Sequence, residues 1–156
     1  MLGWIDIAAR LGAAALIGSA IGLNRYAHHK STGLRTLSLV ATGAAALVLA
    51  TVDTANGVLH ADAMSRVIQG IMTGVGFIVA GVIIRGQTDD SVRGLTTAAA
   101  VWMTAALGAL CGIGAWSVIA PLTTIVGLII LVGGPFERYW TQTFVDSQHR
   151  SAQQDW

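Results

Sequence analysis

Residues 67–84 read VIQGIMTGVGFIVAGVII, a run of eighteen residues without a charged side chain. A helix needs about 20 mostly apolar residues to cross the roughly 30 Å hydrocarbon core of a bilayer. Four more mostly apolar runs occur, of which the first contains Asp6 and Arg10 and the second contains Arg35. The five apolar segments are residues 3–23, 34–52, 67–84, 95–111 and 116–132. They are too long for strands, and none has the alternation of a barrel strand. The sequence therefore predicts an all-α fold, a polytopic membrane helix bundle of about five transmembrane helices.

The composition also favours a membrane location. Of the 156 residues, 54% are hydrophobic and only 11% are charged, and the mean hydropathy is +0.66. Soluble domains carry about 25% charged residues, and a small domain has too little interior to bury so much apolar surface. We therefore expect the lipid bilayer to be the main partner of the chain, and we expect no nucleic-acid partner.

Sequence signatures of enzymes and metal sites are absent. The chain has no nucleophile elbow, no phosphate-binding loop and no zinc motif, and its single cysteine, Cys111, cannot form an intrachain disulfide. A magnesium path would need several carboxylates on one face of a span. Asp53, Asp62, Asp89 and Asp90 do not meet this requirement. We predict no enzymatic activity, no cofactor and no metal site.

Basic residues concentrate in three stretches that five spans would place on one side. Residues 24–35, residues 85–93 and the polar tail hold seven of the nine Lys and Arg side chains. The positive-inside rule then puts the N-terminus outside and the C-terminus in the cytoplasm. The first four residues lack Lys and Arg, so we expect a retained helix rather than a signal peptide. The expected domains are a transmembrane domain, residues 1–134, and a polar cytoplasmic tail, residues 135–156.

An internal repeat is a further hypothesis. Arg25 precedes Gly33-Leu34, and Arg85 precedes Gly94-Leu95 at a similar spacing. The offset of about 60 residues equals two spans, so the copies would share one orientation, as parallel repeats do.

Three glycine pairs at GxxxG spacing place small residues on one face of a predicted helix. They could serve packing within the chain, or one face could form a homo-oligomer, a dimer or larger. The pairs are Gly18 and Gly22, Gly70 and Gly74, and Gly108 and Gly112.

Basic and hydroxyl side chains gather where the second and fourth segments begin. Helix N-termini expose unpaired N–H groups and the positive end of the dipole, which favours a phosphate-bearing group or an acidic partner. The alternative is that these residues only orient the protein and reach lipid phosphates. The candidates for this cytoplasmic anion or partner site are Arg25, Lys30, Arg35, Thr36, Arg85, Arg93, Thr96 and Thr97.

A second polar group is predicted within the membrane or near its outer side. Asp6 and Arg10 are one helical turn apart, and Asp62 and Arg66 repeat this spacing just before the third segment. Ionisable groups inside a membrane are costly and usually mark function or a structural pair. The candidates are Asp6, Arg10, Asp62, Arg66 and Gln69, and the alternative is two separate ion pairs at helix ends.

Several motifs, taken in order, resemble the MgtC/SapB family. They are residues 22–25 (GLNR), 30–36 (KSTGLRT), 74–81 (GVGFIVAG) and 92–99 (VRGLTTAA), and the resemblance covers about residues 10–120. It implies a protein of the bacterial inner membrane with about five spans. In that family the name is tied to magnesium limitation, to virulence through survival of intracellular pathogens, and to control of ATP synthase.

The sequence departs from the family pattern in three places. Asn24 stands where the family usually has a glutamate, and Val79 replaces a small residue. Many members also carry a C-terminal domain of the ACT type. This sequence ends at Trp156, so we expect no regulation through such a domain.

Three functions follow as hypotheses. The first is a non-enzymatic regulatory membrane protein that contacts other membrane proteins and is linked to magnesium, phosphate and ATP homeostasis. The second is a small oligomeric transporter or channel for magnesium or another ion, built around Arg10, Asp62, Arg66 and Gln69. The third is a bare structural scaffold.

Overall fold

A computed structural model describes residues 2–27, 32–53, 58–84 and 94–152, with side chains described along the last helix as far as residue 134. Five helices lie within these ranges: α1 (Trp4–Ala27), α2 (Leu34–Leu49), α3 (Ala61–Ile84), α4 (Leu95–Ile113) and α5 (Trp116–Ala152). Between α2 and α3, strand β1 (Val52–Asp53) pairs antiparallel with β2 (Val58–Leu59). The predicted all-α bundle is confirmed, with this short hairpin as an addition.

Four of the five helices are long and apolar enough to cross a bilayer, and the exception is α2. Its 16 residues rise roughly 24 Å at about 1.5 Å per residue, which is less than the hydrocarbon thickness. The predicted second segment was longer because its last residue, Val52, is apolar. In the structure Val52 pairs with Leu59 in the hairpin instead of continuing the helix.

Helices α1 and α2 are antiparallel and lie in close contact through glycines. A Cβ atom at Gly18 would lie 2.6 Å from the Leu37 carbonyl oxygen, and one at Gly22 would lie 2.9 Å from the Leu34 nitrogen. Both distances are too short for any real side chain. Only hydrogen at these positions lets the two backbones approach, so this glycine pair packs within the chain.

The other face of α2 packs against α4, and these two helices run parallel. A Cβ at Gly108 would collide with the Ala41 backbone, and one at Gly112 would lie 2.6 Å from the Ala45 carbonyl oxygen. In lipid such close backbone contact supplies the van der Waals energy that joins helices. Helix α2 is thus held on two sides by glycine faces of its neighbours.

Small side chains fill the interior between these helices. Ala14, Ala41, Ala45 and Cys111 are fully buried, and Ile119 from the first turn of α5 completes the cluster. Alanine and cysteine keep the interhelical distance short, so this interior matches the glycine contacts on either side.

The placement of the helix pairs agrees with the repeat hypothesis. Helices α2 and α4 correspond in the repeat and run parallel, as shared orientation requires. A Cβ at Gly22 would lie 3.0 Å from the Gly33 oxygen, and one at Gly94 would lie 3.1 Å from the Val82 oxygen. The offset between Gly22 and Val82 is 60 residues, so the end of α1 meets the start of α2 much as the end of α3 meets the start of α4.

The third glycine pair behaves differently. A Cβ at Gly70 or Gly74 would meet nothing within 4 Å, and both residues are exposed. We expected packing within the chain here, but among the described residues no neighbouring atom would lie within 4 Å of a Cβ at either glycine.

The chain divides into two compact units, Met1–Thr123 and Thr124–Trp156. In the first unit, α4 ends at the left-handed residue Gly114, and α5 begins two residues later. In the second unit, α5 continues to Ala152. The predicted boundary between residues 134 and 135 therefore falls inside a helix, at the end of the apolar part Trp116–Gly134.

Candidate functional site

Arg10 joins α1 to the C-terminal end of α4. Its Nη1 donates hydrogen bonds to the carbonyl oxygens of Gly112, at 3.0 Å, and Ile113, at 2.9 Å. Its Nε lies 2.9 Å from Oδ2 of Asp6, so the two side chains form an ion pair within α1. Among the described residues, neither atom has a partner in hydrogen-bond geometry. The last carbonyls of a helix lack partners and carry the negative end of its dipole, so a guanidinium is the favourable group here.

Gly114 makes room for this guanidinium. Its φ of 81° is in the left-handed region, which favours glycine, and its N–H bonds back to the α4 carbonyls of Leu110 and Cys111. A Cβ at this residue would lie 2.8 Å from Cζ of Arg10. The short connection between α4 and α5 is thus shaped both by backbone conformation and by the arginine packed on it.

The other residues of the predicted outer group do not join Arg10. Asp62, Arg66 and Gln69 are exposed in the first turns of α3, and no ion pair links Asp62 to Arg66. Gln69 donates to the Ser65 hydroxyl at 3.3 Å on its own helix. Helix α1 packs on α2 and α4, whereas α3 packs mainly on α4, so the group divides between two separate places.

Arg25 lies at the opposite end of α1 and is buried, with 3% of its surface exposed. Its Nη2 donates a hydrogen bond to Oγ1 of Thr97, in the first turn of α4. Thr97 is also buried, at 5% exposure. The contacts of Arg10 and Arg25 together show that α1 and α4 run antiparallel, with one arginine at each end of the pair.

Two buried polar atoms near this end have no hydrogen-bond partner among the described residues. They are Nε of Arg25 and Oγ1 of Thr32, whose residue is 7% exposed. Thr32 immediately precedes Gly33, the N-cap of α2, and neither Gly33 nor the α4 N-cap, Gly94, provides a side-chain cap. This end of the bundle therefore collects donors and the positive ends of two parallel helices.

The remaining residues of the predicted cytoplasmic site are either exposed or outside the described residues. Arg35, Thr36 and Thr96 are exposed, and Lys30, Arg85 and Arg93 lie outside the described residues. Sequence reasoning missed Thr32, although its place one residue before Gly33-Leu34 marks a helix start and could have indicated it.

The exposed glycine pair of α3 borders an apolar groove of about 480 Å³ between α2 and α3. On the α3 side the lining residues follow helical spacing, and on the α2 side they include another glycine. The lining is Leu39, Val40, Gly43, Ala44, Leu47, Val67, Gly70, Ile71, Gly74, Val75 and Ile78.

Hydroxyl groups along the spans bond mostly to their own helices. Thr42, Thr73 and Thr104 each donate to the carbonyl four residues earlier, at 2.7 to 2.8 Å. Among the residues that the structure describes, no three of His, Cys, Asp and Glu come together as a metal site would require. Arg10 and Arg25 make long-range polar contacts that join α1 to α4.

The family model described as the MgtC family matches residues 11–139. The chain belongs to the MgtC family. This confirms the resemblance carried by the motifs around Arg25 and Gly94, and it identifies the chain as a membrane protein of that family. Protein SrpB of Synechococcus elongatus is 43% identical over 121 residues, which cover 72% of this chain and 66% of SrpB.

Proteins named MgtC are also similar to this family member. That of Salmonella typhimurium is 44% identical over 102 residues, covering 65% of this chain and 41% of the relative. That of Brucella abortus is 41% identical over 120 residues, covering 76% of this chain and 48% of the relative. The chain thus spans between about two fifths and two thirds of the length of these MgtC-family relatives. No solved structure matches it.

Proposed function

We propose that this chain is a non-enzymatic regulatory protein of the bacterial inner membrane, linked to magnesium, phosphate and ATP homeostasis. It acts by binding a helix of another membrane protein. Its N-terminus lies outside and its C-terminus in the cytoplasm. The similarity to proteins named MgtC supports the link to magnesium homeostasis. The exposed glycine pair of α3, Gly70 and Gly74, supports binding to a partner helix.

The observation that carries the proposal is the contrast between the glycine pairs. Helix α2 packs against Gly18 and Gly22, whereas a Cβ at Gly70 or Gly74 would meet no neighbouring atom within 4 Å. In lipid, small residues at GxxxG spacing let a second helix approach closely. Beside this pair, Phe77 leaves 84% of its surface exposed. A partner helix seated here would make backbone contacts like those that α2 makes with α1.

The polar groups of the spans favour regulation over transport. Arg10 is bound to the end of α4 and Asp6, and Arg25 is bound to Thr97. Both arginines therefore hold helices of this chain together. Asp62, Arg66 and Gln69, the other members of the ion path that the transporter hypothesis requires, lie apart from them on α3.

A complementation experiment tests the regulatory function. The chain is expressed in a bacterium that lacks its own MgtC-family gene, and growth is measured at limiting magnesium. We expect wild type to restore growth and the double variant Gly70→Leu, Gly74→Leu to fail at equal membrane level, because leucine fills the helix-binding face. Gly12→Leu is the matched control, since Gly12 is also exposed with nothing within 4 Å.

A transport assay separates the two hypotheses. Purified protein is reconstituted in liposomes that contain a magnesium-sensitive dye, and the influx is compared with that of empty liposomes. We expect equal rates. Magnesium influx above the empty control would support the transporter instead, and restoration of growth by the double leucine variant would remove the helix-binding face from the proposal.

A further inference from the structure

The buried guanidinium of Arg25 lacks a counter-ion among the described residues. Only 3% of the residue is exposed, and no described residue provides a hydrogen-bond partner for its Nε. In the part of the chain that the structure describes, no carboxylate oxygen comes within 4.0 Å of it, and the ion pair present is that of Arg10 with Asp6. Buried charges are strongly unfavourable unless they are paired and hydrogen-bonded. This arginine therefore calls for a negative group.

The hydroxyl of Thr32 also lacks a hydrogen-bond partner among the described residues, which is an independent observation. This hydroxyl is buried, and buried polar atoms are nearly always hydrogen-bonded. The position of a Cβ at Gly22, 2.9 Å from the Leu34 nitrogen, shows that the last turn of α1 lies against the start of α2. Arg25 belongs to that last turn, and Thr32 directly precedes that start. Two unsatisfied donors thus occur at one end of the bundle.

The backbone around Arg25 and Thr32 also carries positive partial charge. Helices α2 and α4 begin at this end and run parallel, so both place the positive end of the dipole there. Their N-caps, Gly33 and Gly94, supply no side-chain acceptor, and the first helical bonds to these caps come from Leu37 and Ala98. The N–H groups of both first turns therefore have no acceptor in their own helix.

We propose that a phosphate group binds where Arg25, Thr32 and the first turns of α2 and α4 meet. A phosphate has several acceptor oxygens in tetrahedral arrangement, so it can accept from the Arg25 Nε, the Thr32 hydroxyl and backbone N–H groups together. Its source is either the headgroup of an anionic phospholipid or free phosphate from the aqueous side. The inference goes beyond the proposed function and does not depend on it, because it concerns the purified chain alone.

Binding is measured on the full chain in dodecyl maltoside, which contains no phosphorus. One arm titrates inorganic phosphate and follows heat, and the other adds phosphatidic acid and counts bound lipid by native mass spectrometry. We expect binding in one arm. Phosphate that binds and displaces the lipid identifies a free-phosphate site, whereas binding of phosphatidic acid alone identifies a lipid headgroup site.

The variant Thr32→Val removes one hydroxyl at nearly constant shape. A hydrogen bond to a charged group corresponds to a change of roughly tenfold or more in Kd, so we expect a loss of at least that size. Thr73→Val is the matched control, because its hydroxyl is exposed on α3 and donates to the Gln69 carbonyl of its own helix, and we expect no change in Kd. The melting temperature of Thr32→Val without anion should equal or exceed that of wild type, since the lost hydroxyl had no partner.

Two results would overturn the proposal. The first is that neither probe binds wild type, because the buried donors at this end would then have no affinity for a phosphate group. The second is that Thr32→Val and Arg25→Lys both bind the probe as tightly as wild type, because the anion would then lie elsewhere.

Discussion

Gly108→Ala should strongly destabilise the contact between α2 and α4. The added Cβ would lie 2.7 Å from the Ala41 Cα, which is 0.7 Å short of the 3.4 Å at which ordinary contact begins. The obstacle is backbone on both sides, so no side chain can rotate away. Relief requires the two helices to separate, and this would loosen the neighbouring contact of Gly112 with Ala45 as well.

The expected cost is at the upper end of overpacking effects, about 3 kcal/mol, or roughly a hundredfold in the unfolding equilibrium. The assay is reversible unfolding in mixed micelles with increasing dodecyl sulfate, followed by far-ultraviolet circular dichroism and tryptophan fluorescence. Trp102 of α4 is a convenient probe. We expect the unfolding midpoint of Gly108→Ala to move to a lower detergent fraction.

Gly76→Ala is the control for the loss of a helical glycine. Gly76 is exposed in the middle of α3, and a Cβ there would meet nothing within 4 Å. This variant should be neutral or more stable by up to about 1 kcal/mol, because alanine favours helix. If Gly108→Ala unfolds at the same detergent fraction as Gly76→Ala, the close packing of α2 on α4 is refuted.

Three further changes test the polar contacts by the same unfolding assay. Arg10→Gln should lower the free energy of unfolding by about 3 kcal/mol, since two charge-assisted bonds to the end of α4 are lost. Asp6→Asn should lower it by less than about 1 kcal/mol because the Asp6 side chain is 41% exposed, and equal effects of the two variants would contradict this ranking. Gly114→Ala should lower the free energy of unfolding by at least about 1–2 kcal/mol because of its positive φ, and by more because the new Cβ would clash with Arg10. Unchanged stability would contradict the left-handed turn. Thr97→Val should lower the free energy of unfolding by about 1–3 kcal/mol because a donor of buried Arg25 loses its acceptor. Thr96→Val, at an exposed neighbouring residue, should leave the stability unchanged.

Helix positions were predictable because they depend on local chemistry. A backbone in lipid must satisfy its own hydrogen bonds, so each long apolar run becomes a helix wherever it lies in the fold. The pairing of Asp6 with Arg10 was predictable for a similar reason, because one helical turn brings the two side chains together. The end of α2 was not, since Val52 is as apolar as a helical residue but has a strand partner, Leu59.

The partners of the arginines could not be read from the sequence. Arg10 bonds to Gly112 and Ile113, more than 100 positions away, and these acceptors are backbone carbonyls that any residue would offer. Arg25 was predicted as one of many basic residues at an exposed surface. The structure instead buries it against Thr97, because the end of α1 packs beside the start of α4.

The sequence by itself determined that lipid surrounds the protein, where the helices lie and to which family the chain belongs. Hydropathy, segment length and the order of motifs, from which these follow, are properties of the chain alone. Only the tertiary structure decided which glycines are used. Gly18 and Gly70 occur in the same GxxxG pattern, yet the first lies against α2, whereas a Cβ at the second would meet no neighbouring atom within 4 Å. The physical reason is that a small residue permits a close approach without specifying the neighbour, and the neighbour depends on how all the helices share their surfaces.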